Sequence, residues 1–382
     1  MDLVLLQEPL IPSFRILDEK GKVLTSKREF ELADDDILSM YRTMSQVQAI
    51  DHIFMQAQRH GRISFHMQNA GEEGLQVLLG ALPHFSSKDH VYSQYRELGV
   101  LLMEGFRCAA GIAHQCTSNM NDLGKGRQMP MHFGSQALNL HTISSPLATQ
   151  LPQASGTAYA LKRRGEDACV VCYFGDGAAS EGDFHAALNF ASTLECPVIF
   201  FCRNNGNNQY AILPHRDCLV IVVSRPPPSF AFSSSSGNDM LAVYEATKVA
   251  REYAVSESRP VIVEAMTYRR SHHSSSDDST TYREKDELVW WQQNNDPVAR
   301  IRLYLESRGL WDSQQEAELK IALKKETVQS LNNAEKLPKP PIDDLFTDVY
   351  KEMPKRLREQ QEDLEAHIRK YAPEYDVSNF KS

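Results

Sequence analysis

Two short polar segments, each following an apolar run, carry the residue types needed to bind a metal ion and a phosphate group. They are Gly175-Asp176-Gly177-Ala178 and Arg203-Asn204-Asn205. Asp176 offers a carboxylate and Asn205 an amide oxygen, and oxygen ligands of this kind suit a hard divalent cation such as Mg²⁺. Gly175 and Gly177 allow a sharp backbone turn and a close approach to a ligand. The two segments together therefore predict a site for a magnesium-bound diphosphate.

One βαβ unit must bring these segments together. The apolar runs from Ala168 to Phe174 and from Val198 to Cys202 predict two buried strands. Between them, Ser180 with Asp183 resembles a capping box, which predicts a helix that ends near Leu194. A right-handed crossover makes the strands parallel, so both segments lie at the carboxyl edge of the sheet, where such sheets bind ligands. The alternative is a tight turn and an unrelated asparagine pair in a loop.

Composition sets the outer limits on function. The chain has 382 residues, 24% of them charged and 42% hydrophobic, which suits one extended α/β domain or two domains. A net charge of −9 argues against general nucleic-acid binding. No apolar run approaches the roughly 18 residues of a membrane span. The first residues resemble neither a secretory signal nor a transit peptide, so we expect a cytoplasmic protein or a mature form that lacks its leader.

Seven widely spaced cysteines predict reduced thiols in an intracellular protein. Cys169 and Cys172 have the spacing found in metal sites. Residues three apart in a strand point to opposite faces, however, so we expect two buried thiols instead.

The sequence divides into three parts. We expect residues 1–33 to form an extended arm, because their apolar residues show little periodicity. Residues 34–296 predict the α/β domain, whose first helix follows Asp34-Asp35-Asp36 and can end in a left-handed residue at Gly61. Residues 297–382 predict a helical extension. The last amphipathic helix presents a packing face formed by Leu357, Leu364, Ile368 and Tyr371.

Several longer motifs resemble one family. They are Gly61-Arg62-Ile63-Ser64-Phe65, Gln94-Tyr95-Arg96-Glu97, Gly124-Lys125-Gly126-Arg127-Gln128-Met129-Pro130, the run from Thr142 to Gln150, Thr267-Tyr268-Arg269 and His272-His273-Ser274 with Asp277-Asp278. From about Ile11 onward the chain resembles the α subunits of branched-chain 2-oxo acid dehydrogenases. The Gly-Asp-Gly and Asn-Asn segments resemble the thiamin diphosphate signature, which the pyruvate and acetoin dehydrogenase α subunits share as an alternative. The resemblance implies a thiamin diphosphate-binding α/β fold with a mostly parallel sheet flanked by helices.

The resemblance also assigns residues to thiamin diphosphate. Arg96 and Arg203 match positions that hold the diphosphate, a role suited to guanidinium groups. Gln94 and Tyr95 match positions at the cofactor and the substrate, whereas Ser145 and Leu147 match positions at the aminopyrimidine. The signature itself contributes Gly175, Asp176, Gly177 and Ala178.

His273 matches the active-site histidine of the family, and Ser145 is the second residue assigned to catalysis. An imidazole can supply or accept a proton near neutral pH, although an isolated histidine in a Ser-rich loop is more often a surface residue. Ser274 matches a regulatory phosphorylation position, where a phosphate would add about −1.5 to −2 charges and oppose an anionic substrate or lipoyl group. A second phosphorylation position falls on Glu284 and is therefore absent.

Two metal ions follow from the resemblance. Mg²⁺ would be bound by Asp176, Asn205 and a backbone carbonyl at Tyr210, or at Asn207 if Tyr210 is displaced. K⁺ would be bound by neutral oxygens of Ser144, Pro146, Thr149 and Gln150. Any one Ser or Thr of this set could alternatively be an ordinary helix cap.

Residues 207–236 depart from the family. Three residues intervene before Tyr210, and the segment from Leu213 to Ser236 lacks the Gly-rich and Ser/Thr-rich loop that wraps the cofactor. We expect an altered splice or gene-model junction here, which puts activity in question.

The implied activity is thiamin diphosphate-dependent oxidative decarboxylation of branched-chain 2-oxo acids, with acyl transfer to lipoamide on an acyltransferase core. A separate β subunit supplies the activating glutamate, so we expect an α2β2 heterotetramer and no activity in this chain alone. Regulation at Ser274 implies a kinase, a phosphatase and the mitochondrial matrix, whereas a bacterial protein would be cytoplasmic. Two alternatives are an inactive paralogue or splice product and a stand-alone decarboxylase with a further cofactor domain. Neither nucleic acid nor membrane is an expected partner.

Overall fold

A parallel sheet forms the centre of the protein. The structure is a computed structural model that describes residues 13–24, 32–77, 88–103, 108–206 and 231–381. Its strands are β1 (His90–Tyr92), β2 (Leu140–His141), β3 (Val170–Gly175), β4 (Val198–Asn204), β5 (Ala231–Ser236) and β6 (Val261–Met266). They form one six-stranded sheet in the order β2-β1-β3-β4-β6-β5, and every pairing is parallel. The predicted α/β class with a mostly parallel sheet is confirmed.

Helices connect and cover these strands. They are α1 (Asp34–Arg59), α2 (Leu98–Met103), α3 (Cys108–Thr117), α4 (Gln150–Arg164), α5 (Gly182–Thr193), α6 (Met240–Glu257), α7 (Lys285–Asn294), α8 (Pro297–Ser307), α9 (Ser313–Ala334) and α10 (Lys355–Lys370). Among the described residues, none of the helices is long and apolar enough to cross a membrane.

Successive side chains of β3 point to opposite faces of the sheet and contribute to a hydrophobic core on each face. Val171 and Tyr173 pack with residues of α1 and α6, whereas Cys172 and Phe174 pack with residues of α4 and α5. Cys169 belongs to the first core, so Cys169 and Cys172 are buried thiols on opposite faces, as the period of a strand requires. That prediction is confirmed.

The ends of β3 and β4 coincide in register. Gly175 pairs with Arg203, and Arg203 pairs with Ala265 of β6. The two polar segments therefore leave the sheet side by side at its carboxyl edge, as the βαβ pattern predicts.

The predicted capping box at Ser180 is wrong. A 3₁₀-helix covers Asp176–Ser180, and α5 begins only at Gly182. Glu181 occupies the N-cap position with an extended backbone and makes no side-chain cap. The tight 3₁₀-helix displaces the start of α5, because its last residue is Ser180 itself.

The predicted first helix is confirmed, with a different start. Ala33 is the N-cap residue of α1 and makes no side-chain cap, so Asp34, Asp35 and Asp36 lie in the first helical turn. Carboxylates there are favoured by the helix dipole. Gly61 follows the helix with a φ of 72°, the left-handed conformation expected of it.

The described part of the N-terminal arm is fastened beside the edge strand β5. Phe14 bridges Ser235 in parallel, and the backbone N–H groups of Ile16 and Leu17 donate to Asp239 Oδ2 at 2.6 and 2.7 Å. Asp239 also caps α6 by accepting from the Ala242 N–H. At the other end of the chain, α10 has no buried residue, and the predicted packing face of Leu357, Leu364 and Ile368 is only half-buried.

Candidate functional site

Asp176 and Asn205 follow directly after the paired ends of β3 and β4. Asp176 is partly exposed at this edge, and Asn205 is buried. The Asn205 Nδ2 donates to Glu72 Oε1 at 2.7 Å. Because the nitrogen of the amide faces Glu72, its oxygen points the other way. The sequence prediction that both side chains lie at one edge of the sheet agrees with this arrangement.

The electrostatics at Asp176 suit a bound cation. Burial and the negative charge of Glu72 raise the pKa of Asp176 to about 6. A divalent cation beside the carboxylate would oppose both effects, because it favours the ionised form. Asp176 with the Asn205 amide oxygen is therefore a donor set that fits Mg²⁺.

Arg203 is held between two buried carboxylates that the sequence analysis did not identify. Its Nη1 lies 3.1 Å from Glu72 Oε2, and its Nε lies 2.6 Å from Glu97 Oε1. Although burial opposes its charge, Glu97 and Glu72 raise the pKa of Arg203. These contacts fix the guanidinium beside Gly175, whose position lies next to Arg203 Nη2.

Glu97 and Gln94 organise the turn that carries the predicted cofactor residues. Glu97 Oε2 accepts from the backbone N–H groups of Gln94 and Arg96, each at 2.9 Å. Gln94 Oε1 accepts from the Gly175 N–H at 2.6 Å, so the turn after β1 is joined to the end of β3. Neither Gly175 nor Gly177 adopts a positive φ, and the backbone turns here through the 3₁₀-helix Asp176–Ser180. The small size of both residues remains compatible with close approach of a ligand.

Three arginines at this edge are almost fully buried. Arg96, Arg203 and Arg269 each have 1% of their surface exposed. Arg96 Nη1 donates to the Gln68 carbonyl at 2.6 Å and Nη2 to the His273 carbonyl, and burial lowers the pKa of Arg96 to about 10. Two nitrogens of Arg269, Nε and Nη2, are buried without a hydrogen-bond partner among the described residues. Buried donors of this kind are costly, and an anion such as a diphosphate would satisfy them.

His273 lies against Tyr95 and Arg96. The rings of His273 and Tyr95 meet edge-on with centroids 6.2 Å apart. The His273 backbone N–H donates to Asp277 Oδ2 at 2.7 Å, and the Tyr282 hydroxyl donates to the same oxygen at 2.6 Å. Burial and the charges of Arg96 and Arg269 lower the pKa of His273 to about 4, so its imidazole is neutral at neutral pH. Ser274 is half-buried beside it.

The predicted potassium and aminopyrimidine residues lie in a second segment, which is exposed at residues 144–146 and buried at Gln150, where α4 begins. Ser144, Ser145 and Pro146 are exposed, and Leu147 packs against the core formed with α4 and α5. The Thr149 hydroxyl donates to the Pro146 carbonyl at 3.2 Å. Gln150 Nε2 donates to the Tyr173 carbonyl at 2.9 Å, so the amide oxygen of Gln150 faces away from that strand.

A histidine that the sequence analysis did not identify contacts Ser145. His132 Nε2 lies 2.5 Å from Ser145 Oγ, and its Nδ1 lies 3.1 Å from the Pro130 carbonyl. A carbonyl can only accept, so Nδ1 carries a proton, and in a neutral imidazole Nε2 then accepts from the Ser145 hydroxyl. His132 lies two residues after Pro130, the last residue of the motif at residues 124–130, and this proximity was the signal available in the sequence. Tyr210 and Asn207, the predicted third magnesium ligands, lie outside the described residues.

The structure is thus an α/β protein whose buried arginines and carboxylates meet at the carboxyl edge of a parallel sheet. The chain belongs to the dehydrogenase E1 component family, which it matches over residues 41–220 and 228–343. The family match is interrupted between residues 220 and 228, within the segment 207–236 that is predicted to depart from the family.

Curated relatives confirm the resemblance to the branched-chain type. The chain is 46% identical to the mitochondrial 2-oxoisovalerate dehydrogenase subunit alpha of Homo sapiens over 374 residues, covering 97% of this chain and 83% of that protein. It is 47% identical to the protein of that name from Caenorhabditis elegans over 374 residues, covering 97% and 85%. For mitochondrial subunit alpha 1 of Arabidopsis thaliana, the identity is 46% over 369 residues, covering 96% and 77%.

Proposed function

We propose that this chain is the α subunit of a dehydrogenase that decarboxylates branched-chain 2-oxo acids such as 2-oxoisovalerate and passes the acyl group to lipoamide. The observation that carries the proposal is the meeting of Asp176 and Asn205 with the buried arginines Arg203 and Arg269 at one edge of the sheet. The names of its relatives support the choice of substrate.

The cofactor that fits this edge is thiamin diphosphate with Mg²⁺. Asp176 and the Asn205 amide would bind the cation, and Arg203 and Arg269 would contact the diphosphate. When bound, thiamin diphosphate supplies the carbon nucleophile and the electron sink for decarboxylation and acyl transfer. The buried charges of Glu72 and Glu97 keep Arg203 in place, so that little reorganisation is needed on binding.

His273 is the residue proposed to handle a proton at the reacting end. It is neutral at neutral pH because burial and two arginines lower its pKa to about 4. A neutral imidazole can accept a proton or orient a substrate oxygen, and Tyr95 restricts its ring from one side. Its backbone is fixed through Asp277 and Arg96, so the loop position is defined before any ligand arrives.

The open turn at residues 144–150 is proposed to bind K⁺ and the aminopyrimidine end of the cofactor, with a β subunit completing the site. Exposure of Ser144, Ser145 and Pro146 supports a site finished by a second chain. We propose an α2β2 assembly on an acyltransferase core in the mitochondrial matrix, as the relatives' location suggests. Ser274 is proposed as a phosphorylation site, because a phosphate there would lie beside His273.

Co-expression with the β subunit from the same organism tests this proposal. The purified assembly, supplied with thiamin diphosphate, Mg²⁺ and an artificial electron acceptor, is expected to release CO₂ from 2-oxoisovalerate faster than from pyruvate. The chain without the β subunit is expected to release none. Faster turnover of pyruvate would overturn the substrate assignment, and an assembly that binds no cofactor would identify an inactive paralogue.

A further inference from the structure

Glu72 contacts two residues of the proposed cofactor site, Arg203 and Asn205, although nothing in its local sequence distinguishes it from the adjacent Glu73. It is fully buried, and its two oxygens serve different partners. Oε2 lies 3.1 Å from Arg203 Nη1, and Oε1 accepts from Asn205 Nδ2 at 2.7 Å. One carboxylate thus connects the proposed diphosphate arginine with a proposed metal ligand.

The contact to Glu72 determines which end of the Asn205 amide faces the cation. A carboxylate accepts hydrogen bonds, so the amide must direct its nitrogen towards Glu72. A flipped amide would place two acceptor oxygens against each other in a buried setting and would direct an N–H₂ group at the cation. The observed orientation therefore turns the amide oxygen of Asn205 away from Glu72.

Glu72 is itself held rigidly. Its backbone N–H donates to the Asn69 carbonyl at 2.9 Å, and the Asn69 side chain donates to the buried Asp51 at 3.0 Å. The preceding Gly71 has a φ of 97°, and a Cβ there would lie 2.1 Å from the Tyr268 carbonyl oxygen. The backbone before Glu72 is thus pressed against the segment that follows β6, where only glycine fits.

We propose that Glu72 is a positioning residue of the metal site, which holds the Asn205 amide with its oxygen towards the cation. This inference rests on the proposed function, because it presupposes a cation between Asp176 and Asn205. Residues that orient metal ligands in this way typically contribute about 10–100-fold to metal affinity.

The test is a polarity exchange between Glu72 and Asn205. In Glu72→Gln the new amide cannot accept from both Arg203 and Asn205, so the Asn205 amide is expected to flip. In the double variant Glu72→Gln with Asn205→Asp, the amide introduced by Glu72→Gln can accept from Arg203 and donate to the new carboxylate, which leaves an oxygen for the cation. The double variant also has the same total charge as the natural protein.

The quantity to measure is the affinity of the α–β assembly, saturated with thiamin diphosphate, for Mn²⁺ in place of Mg²⁺. Electron paramagnetic resonance follows the concentration of free Mn²⁺. Glu72→Gln is expected to weaken Mn²⁺ binding by about 10–100-fold. The double variant is expected to recover most of that loss. Glu72→Gln that binds Mn²⁺ as the natural protein does, or a double variant as weak as Glu72→Gln, would overturn the inference.

Glu97→Gln is the matched control for charge. Glu97 is also a buried carboxylate, and its Oε1 lies 2.6 Å from Arg203 Nε. We expect Glu97→Gln to weaken Mn²⁺ binding much less than Glu72→Gln does, and an equal loss would show a charge effect and overturn the orienting role. Circular dichroism of each variant checks that it folds. If the natural assembly itself binds no Mn²⁺ with thiamin diphosphate, the proposed function fails, which is a different outcome.

Discussion

The two proposed ends of the cofactor site are built differently. At the ends of β3 and β4, the arginines and carboxylates are buried and joined to one another by side-chain contacts within this chain. At the turn of residues 144–150, Ser144, Ser145 and Pro146 are exposed. Buried charges destabilise the fold unless they are paired with one another, so these residues must contact each other within this chain. Exposed groups are solvated, so a turn of this kind is stable without a partner chain. We therefore propose that this chain alone shapes the diphosphate end of the cofactor site and shares the aminopyrimidine end with a β subunit.

Loss of the Asp176 carboxylate is expected to have the largest effect. Asp176→Ala should weaken binding of Mg²⁺ and thiamin diphosphate by about 100-fold or more, because removal of one partner of a buried charged contact costs about 2–5 kcal/mol. Binding can be followed by the cofactor-dependent rise in Tm of the assembly. Asp183→Asn, an exposed acid in the first turn of α5, is the control and should bind normally. Normal binding by Asp176→Ala would remove the basis for the contrast between the two ends.

Arg269→Met tests whether unsatisfied buried donors mark the diphosphate end. We expect about a 10–100-fold loss of thiamin diphosphate affinity, since hydrogen bonds to charged groups contribute about 1.5–3 kcal/mol each. Arg300→Met is the matched control, because Arg300 is also buried and its Nε and Nη1 find no hydrogen-bond partner among the described residues, but it lies near Asp239 and the N-terminal arm. Isothermal titration of both variants should show a loss for Arg269→Met alone. Equal losses would mean that buried arginines act only through stability.

Substitution of His132 tests the exposed turn of residues 144–150, because His132 contacts Ser145. His132→Phe should lower thiamin diphosphate affinity by only about fivefold, because a neutral hydrogen bond is worth about 1 kcal/mol. His132→Gln can still accept from Ser145 and should retain most of the affinity. Combination with Ser145→Ala should abolish the difference between the two His132 variants. A difference that survives without the Ser145 hydroxyl would mean that His132 acts by another route.

Local sequence patterns predict much of the diphosphate end of the site, but they do not predict the buried charged residues that contact one another there. The continuous apolar runs that became β3 and β4 and the parallel crossover between them were enough to place Asp176 and Asn205 at one edge. Glu72, Glu97 and Arg269 were not predicted as members of the site, because contacts between distant parts of the chain bring them there. No period or spacing in the sequence encodes that Glu72 would meet both Arg203 and Asn205.

The local prediction that failed has a similar cause. Ser180 and Asp183 have capping-box spacing, yet the helix began two residues after Ser180 because a 3₁₀-helix occupied Asp176–Ser180. The backbone at the end of β3 also donates a hydrogen bond to Gln94, a residue distant in sequence, and local spacing does not encode such a contact.

The smallest expected effect is the dependence of protein stability on pH through His273. The folded-state pKa of His273, about 4, lies below its value in the unfolded chain, so the unfolded state binds more protons between these values. The stability of the cofactor-free protein should therefore fall as pH drops through about 6.5 towards 4. His273→Gln should reduce this fall, giving a Tm difference of about 2–4 °C at pH 5 by differential scanning fluorimetry. His272→Gln is the neighbouring control, and an identical profile for both variants would contradict the burial argument.

The most direct test of the account is a crystal structure of the α–β assembly with thiamin diphosphate and Mn²⁺, in which anomalous scattering locates the metal. The account predicts one metal about 2.1 Å from a carboxylate oxygen of Asp176 and from the Asn205 amide oxygen. The diphosphate is expected within hydrogen-bonding distance of Arg203 or Arg269. A metal bound elsewhere, or a diphosphate remote from the ends of β3 and β4, would contradict it.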